Sequence, residues 1–234
     1  MPNWEQLLGQ IDDAPPPDVP GYRVERLISE RGQGAVFLAR AADGRRVAIK
    51  RWKLPTSRAA REVRALQRLD HPGVVRVLEG AVDRGSGLPC VVMDYVDAPT
   101  LLAAGRRLPA ERAAAILAQV ARALAYVHGA GLVHRDVKPG NVLVRPDGAA
   151  VLVDFGVVKE QAEPSLPEVT ATGGRALGTR PYMAPEQLGL VEAPVGPRAD
   201  VYALGVTLYQ CLTGALPFDS DAAFERRERD PWRA

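Results

Sequence analysis

The hydrophobic pattern of this chain changes period near Pro99, and that change limits the fold more than any other feature of the sequence. Between Tyr22 and Val96, short β-branched and apolar runs occur at Val36 to Ala39, Val47 to Ile49, Val74 to Leu78 and Val91 to Val96. Turn signals such as Asp43-Gly44 and Gly85-Ser86-Gly87 separate them, which predicts strands. One helical stretch, roughly Ser57 to Leu69, interrupts the series. Downstream, Pro109 to His128 is rich in Ala and Leu, has apolar residues three and four apart, and is ended by Gly129. A further helix is predicted from about Ala199 to Leu212, ended by Gly214. The expectation is an α+β protein with a small β-rich lobe over 21–96 and a mainly helical lobe over 97–234, without internal repeats.

The first twenty residues stand apart as an N-terminal extension and Pro-rich linker. Trp4, Leu7, Leu8 and Ile11 share one helical face, and Pro15-Pro16-Pro17-Asp18-Val19-Pro20 cannot continue a helix. This piece is either a frayed tail or a helix that docks on the domain or a partner. The 30 basic and 28 acidic residues nearly cancel, which gives no blanket positive field and no expectation of a nucleic-acid partner. Cys90 and Cys211 lie far apart inside apolar runs, as buried free thiols in a reducing compartment would. Neither an export signal nor a membrane span is visible, which leads to the expectation of a cytoplasmic protein.

Three ordered segments carry chemistry. His134-Arg135-Asp136-Val137-Lys138-Pro139-Gly140-Asn141 falls between a predicted helix and a short apolar run, where rigid elements would hold a functional loop. Asp154-Phe155-Gly156 follows eighteen residues after Asp136, behind the strand-like Ala150 to Val153, and Met183-Ala184-Pro185-Glu186 comes later. Any one of these is ordinary; all three in this order are not.

Together they resemble the catalytic loop, metal-binding loop and end of the activation segment of protein kinases, in particular the bacterial serine/threonine kinases similar to the eukaryotic enzymes. Val47-Ala48-Ile49-Lys50 resembles that family's strand lysine motif, and Glu62 lies twelve residues further on, in the predicted helix. The resemblance implies a two-lobed kinase fold using ATP and Mg²⁺. Within it Asp136 would orient the hydroxyl and accept its proton, Lys50 paired with Glu62 would hold the phosphates, and Asn141 and Asp154 would be metal ligands. Lys138 would touch the γ-phosphate and Thr179 would be its partner, which implies Ser or Thr hydroxyls of protein substrates rather than Tyr. Val36 and Ala48 would roof the adenine slot, Leu143 would floor it, Met93 would guard its back, and the backbone from Asp94 to Val96 would be the hinge. Arg135 would pair with phosphate placed on Thr170 or Thr172 of the activation segment. The resemblance also admits a homodimer through the small lobe.

The chain departs from the family pattern in two places. The phosphate-covering loop, which should read Gly-x-Gly-x-x-Gly, is Ser29-Glu30-Arg31-Gly32-Gln33-Gly34, so Ser29 and Arg31 replace two glycines. After Leu216-Pro217-Phe218 the resemblance implies several more helices, one with an arginine that would meet Glu186, and their lack in this sequence implies a truncated kinase, a fragment of a longer product, or a variant completed by a partner. These two departures support a rival expectation, a pseudokinase or nucleotide-binding scaffold, against which stands the intact catalytic set. Taken singly, Lys50 and Glu62 could be a solvated pair worth under about 1 kcal/mol, and Asp154 could simply cap a turn.

Overall fold

The computed structural model describes residues 15–31, 34–53, 59–105, 107–155 and 180–218. The predicted helix around Trp4 to Ile11 lies outside these residues. The chain divides into two compact units, the first extending to Arg68 and resuming over Arg76–Tyr95, the second made of Leu69–Val75 and the chain from Val96 onward.

The first unit is a five-stranded antiparallel sheet with one helix. Its strands are β1 (Tyr22–Arg31), β2 (Gly34–Ala41), β3 (Arg46–Trp52), β4 (Val77–Val82) and β5 (Pro89–Asp94), in spatial order β1-β2-β3-β5-β4. The β2–β3 reversal is the predicted Asp43-Gly44 turn, where Gly44 takes φ 85° and the Asp43 carboxylate accepts from the Arg45 amide. Because side chains alternate across a strand, the pairing of Ala39 with Val47 and of Ile49 with Val92 assembles one apolar face. On that face Ala39, Val47, Ile49, Cys90 and Val92 form a buried cluster that Val19, only 2% exposed, completes from outside the sheet. Against the opposite face lies α1 (Ala59–Leu66), whose Val63 would sit 3.1 Å from a Cβ placed on Gly80 of β4. Glycine at that position is what lets the helix approach the strand.

The second unit is built on α2 (Ala110–Gly129) and α3 (Pro197–Thr213), with a short hairpin of β6 (Val142–Val144) and β7 (Ala150–Leu152). Ile116, Leu117, Val120 and Leu124 of α2 share a buried cluster with Val206 of α3 and with Val142 and Leu152 of the hairpin. Pro197 starts α3, where its missing N–H costs nothing, and Gly214 ends it at φ 80° by donating to the Gln210 carbonyl. The α2 helix runs through Gly129, and Gly131 is the residue that takes positive φ.

The run Val74 to Leu78, predicted as one strand, is divided between the units. Val74 bridges Leu152 in parallel and Val75 donates to the Leu152 carbonyl, whereas pairing with β5 begins only at Val77. A β-branched run fixes extended backbone but not the partner it pairs with.

Candidate active site

In the second unit the site is held from below by one carboxylate. Asp200, in the first turn of α3, is 1% exposed. It accepts from the His134 amide (2.9 Å), the Arg135 amide (2.7 Å) and His128 Nε2 (2.7 Å). An ionised carboxylate can only accept, so Nε2 of His128 must carry a proton. These bonds hold Arg135 at φ 65°, a left-handed conformation that β-carbon sterics disfavour. The His134 ring is fully buried, and burial lowers its pKa below the usual imidazole value, favouring the neutral ring. One neutral tautomer satisfies both neighbours: Nδ1 accepts from the Asp136 amide and Nε2 donates to the Val153 carbonyl, each at 3.3 Å.

With the backbone fixed, the reactive side chains converge. Lys138 Nζ donates to both carboxylate oxygens of Asp136, at 2.9 and 2.7 Å. Asn141 Nδ2 donates to the Asp136 carbonyl (2.8 Å) and to Asp136 Oδ2 (2.9 Å). That turns the Asn141 amide oxygen, a hard ligand, away from Asp136. The Val153 amide donates to the Asn141 carbonyl at 2.9 Å, which ties the start of the Asp154-Phe155 segment to the same loop. Asp154 follows at φ 57°, and Phe155 is buried with its ring 4.6 Å from that of His134. Asp136, Lys138 and Asn141 thus form one hydrogen-bonded assembly, and the Val153 amide ties to it the backbone that leads into Asp154. Leu143 is half-buried between the fully inward Val142 and Val144, and Thr100 bridges to it. Val96 accepts from the Ala98 amide just after the crossing into this unit.

In the first unit, strand register lines up the other predicted residues. Ser29 pairs with Val36, Val36 with Lys50, Lys50 with Val91, and Val91 with Gly80, which makes one row across all five strands. In the neighbouring row Leu38 pairs with Ala48, and Ala48 with Met93. Val36, Ala48, Lys50 and Met93 therefore share the sheet face opposite the Val19 cluster. Lys50 is 7% exposed. The backbone of Glu62 lies in α1, one residue before the Val63 that packs on Gly80 at the end of the Lys50 row. Asp94 closes β5 opposite Val47 and donates its amide to the Arg76 carbonyl. Gly34 starts β2 where a Cβ would stand 2.5 Å from the Arg51 carbonyl oxygen, so β3 itself demands glycine there.

Gly32, Thr170, Thr172 and Thr179 lie outside the described residues, as do the side chains of Arg31 and Glu62. Two contributors escaped sequence reasoning. Gln187 donates to the Arg135 carbonyl (3.0 Å) and accepts from the Ala184 amide (3.0 Å), fastening the Ala184-Pro185-Glu186 turn to the catalytic loop. His128, at the end of α2, braces Asp200. Its position one helix before the loop was the available signal.

The chain matches the protein kinase domain family over residues 22–231, and it belongs to that family. It is 39% identical over 218 residues to the serine/threonine-protein kinase PknA of Mycobacterium tuberculosis, covering 86% of this chain and 49% of that protein. Likewise it is 38% identical over 219 residues to the serine/threonine-protein kinase pkn3 of Myxococcus xanthus, covering 86% of this chain and 39% of that protein. To PknH of Mycobacterium tuberculosis it is 37% identical over 217 residues, with 86% and 33% covered. The chain spans about half the length of these curated relatives, or less. Membership of the family implies ATP use and, typically, Mg²⁺. Among the described residues no helix is long and apolar enough to cross a membrane.

Proposed function

We propose that this chain is the catalytic domain of an ATP- and Mg²⁺-dependent protein kinase that transfers phosphate to Ser or Thr hydroxyls of protein substrates. The observation that carries this is the Asp136 carboxylate, gripped by Lys138 and Asn141 on a loop pinned to buried Asp200. Phosphoryl transfer moves negative charge and needs positioned donors and cations more than covalent help. Asp136 orients the incoming hydroxyl and takes its proton. Lys138, within 2.9 Å of both Asp136 oxygens, supplies a cation beside the place where the hydroxyl and the phosphoryl group meet. Lys50 clamps the phosphates, with Glu62 of α1 as its partner.

Mg²⁺ takes oxygen ligands and usually relies on one or two protein groups plus phosphate oxygens. Asn141, whose orientation is set by Asp136, and Asp154, joined to it through the Val153 amide, are a donor set of that kind. When bound, ATP with Mg²⁺ supplies the phosphoryl group and neutralises the charge that develops on it. Val36, Ala48 and Met93 share one sheet face of the first unit, apolar surface of the kind an adenine ring requires; the family resemblance also assigns Leu143 and the Asp94 to Val96 backbone to adenine binding. Ser29, Gly32 and Gly34 belong to the loop that covers the phosphates. The preference for Ser and Thr rests on Lys138 and on the names of the relatives, all serine/threonine-protein kinases. Thr170 and Thr172 are the proposed autophosphorylation sites, read out by Arg135, with Thr179 positioned beside the substrate.

Incubation of the purified chain with γ-labelled ATP and Mg²⁺, beside Asp136→Asn, tests the proposal. Label that maps to Thr170 or Thr172 and falls at least about 100-fold in the variant is expected, since a positioned general base typically contributes 10²–10⁴-fold. A folded, ATP-binding chain that transfers nothing would overturn it.

A further inference from the structure

On β3, the residue after Lys50 is held more tightly than the family's chemistry by itself would require. Arg51 points to the face opposite Lys50, is 8% exposed, and lies with its guanidinium carbon 5.6 Å from the centre of the Phe37 ring. Its Nη1 donates to Asp83 Oδ2 (2.9 Å) and to the carbonyl of Pro15 (2.9 Å). Its own carbonyl oxygen lies where a Cβ on residue 34 would stand 2.5 Å away, space that Gly34 leaves open. Asp83, 2% exposed at the end of β4, also accepts from the amides of Asp18 (2.9 Å) and Gly85 (3.0 Å) and from the Ser86 hydroxyl. The Asp18 carbonyl in turn accepts from the Arg84 amide at 2.9 Å, and Pro17 and Val19 are buried between these points. Residues 15–20 are therefore a strap laced to β3 and to the β4–β5 turn.

A buried ion pair adds little net stability over an apolar pair of the same shape, because desolvating two charges offsets their attraction. What it does supply is direction. Burial alone would push the Asp83 carboxyl up, but hydrogen bonds from Ser86, the Asp18 amide, Arg51 and the Gly85 amide outweigh it and hold the pKa at about 2. The group is thus a fixed charge throughout the neutral range. With Arg51 clamped by its side chain on one face, the strand has little freedom to roll, and rolling is the motion that would swing Lys50 on the other face.

We propose that Arg51 and Asp83, with the Pro15–Val19 strap they fasten, are positioning residues for Lys50, so that docking of the strap sets how well the chain uses ATP. The inference rests on the role given to Lys50 above. It accounts for a polar cluster being buried at the edge of an otherwise apolar face, and it gives the segment before the sheet a part in the reaction.

The test compares the chain with Asp83→Asn, with Val19→Ala, and with Arg84→Ala, an exposed control on the same turn. Steady-state kinetics at varied ATP, melting temperature, and amide exchange over residues 49–52 are measured for each. Both Asp83→Asn and Val19→Ala are expected to speed exchange at 49–52 and to lower kcat/KM for ATP at temperatures well below melting. For Asp83→Asn the loss is about ten-fold or more, as ångström-scale misplacement of a reacting group produces. Arg84→Ala changes neither. Lower melting temperatures with unchanged kinetics and unchanged exchange would show a merely structural cluster and overturn the proposal. If Asp83→Asn does not fold, Val19→Ala, which leaves the ion pair intact, decides the matter by the same two readouts. If the unaltered chain transfers no phosphate, the proposed function fails, and exchange at 49–52 still decides whether the strap governs the Lys50 strand.

Discussion

Asp200, 1% exposed, accepts from three donors, two of them backbone amides, of which that of His134 is buried. Replacing it with Asn keeps the shape but leaves one oxygen where two were needed, and turns an NH₂ group toward at least one N–H. A buried donor left without an acceptor costs about 1–3 kcal/mol, and the left-handed Arg135 loses part of what holds it. Asp200→Asn is therefore expected to lower unfolding stability by about 1–3 kcal/mol in a urea titration, and to lower phosphotransfer by more than this alone explains, because the Asp136 loop is displaced in the folded fraction too. Unchanged activity in folded Asp200→Asn would show that the loop holds itself. At this scale the sequence was readable where residues act within a short span. Asp136, Lys138 and Asn141 occur in one octapeptide, and hydrogen bonds join them. Gln187 and Arg135 are 52 positions apart, and Arg51 and Asp83 are 32 apart. Nothing in periodicity or composition marks such pairs, since each is an ordinary polar residue until the fold brings its partner near.

Among the elements, β2 and β3 show how one residue answers to two demands. Gly34 was read from sequence as the last glycine of a phosphate loop, and the register adds a demand from the protein itself: a Cβ would overlap the Arg51 carbonyl at 2.5 Å. Since that oxygen is backbone in a paired strand, it cannot give way as a flexible side-chain tip would. Gly34→Ala is expected to destabilise the sheet by about 1–3 kcal/mol, the range for overpacking a tight site. The loss should appear in guanidinium unfolding even without nucleotide. If Gly34→Ala is as stable as the parent and only ATP affinity suffers, the glycine serves phosphate alone. The positions of β2, β3 and β5 followed from β-branched runs, whereas the grouping of Val36, Ala48 and Met93 came from the family resemblance, and it is the strand register that sets them on one face with Lys50. The division of Val74 from Val77 did not, because extended backbone carries no label for its partner. Nor did the fastening of residues 15–20, which depends on an acceptor in the β4–β5 turn.

Each of the two units buries one free thiol, which makes the whole molecule its own reporter. Cys90 lies in the sheet of the first unit and Cys211 in the α3 core of the second. Burial, and after it the Asp83 carboxylate, pushes the Cys90 thiol up to about 11, and burial raises Cys211 as well. At pH 8 a thiol of that pKa is ionised to only about one part in a thousand, and the thiolate is the reactive form. Alkylation of the native chain is thus expected to be slow at both positions and to become fast as each unit opens. The first unit is the smaller, and small units bury a lower fraction of their surface. In a denaturant series read by mass spectrometry, Cys90 should accordingly be labelled at lower denaturant than Cys211; simultaneous labelling would mean that the units unfold as one. The same thiol gives a pH dependence of definite sign. Because its folded pKa lies above the ordinary value of 9.0, the protonated thiol favours the folded state. That contribution is complete below about pH 9 and is lost as pH rises toward about 11. Cys90→Ala should make this alkaline slope shallower, leaving the part that the raised Cys211 thiol contributes; a slope unchanged in the variant would assign it to other groups.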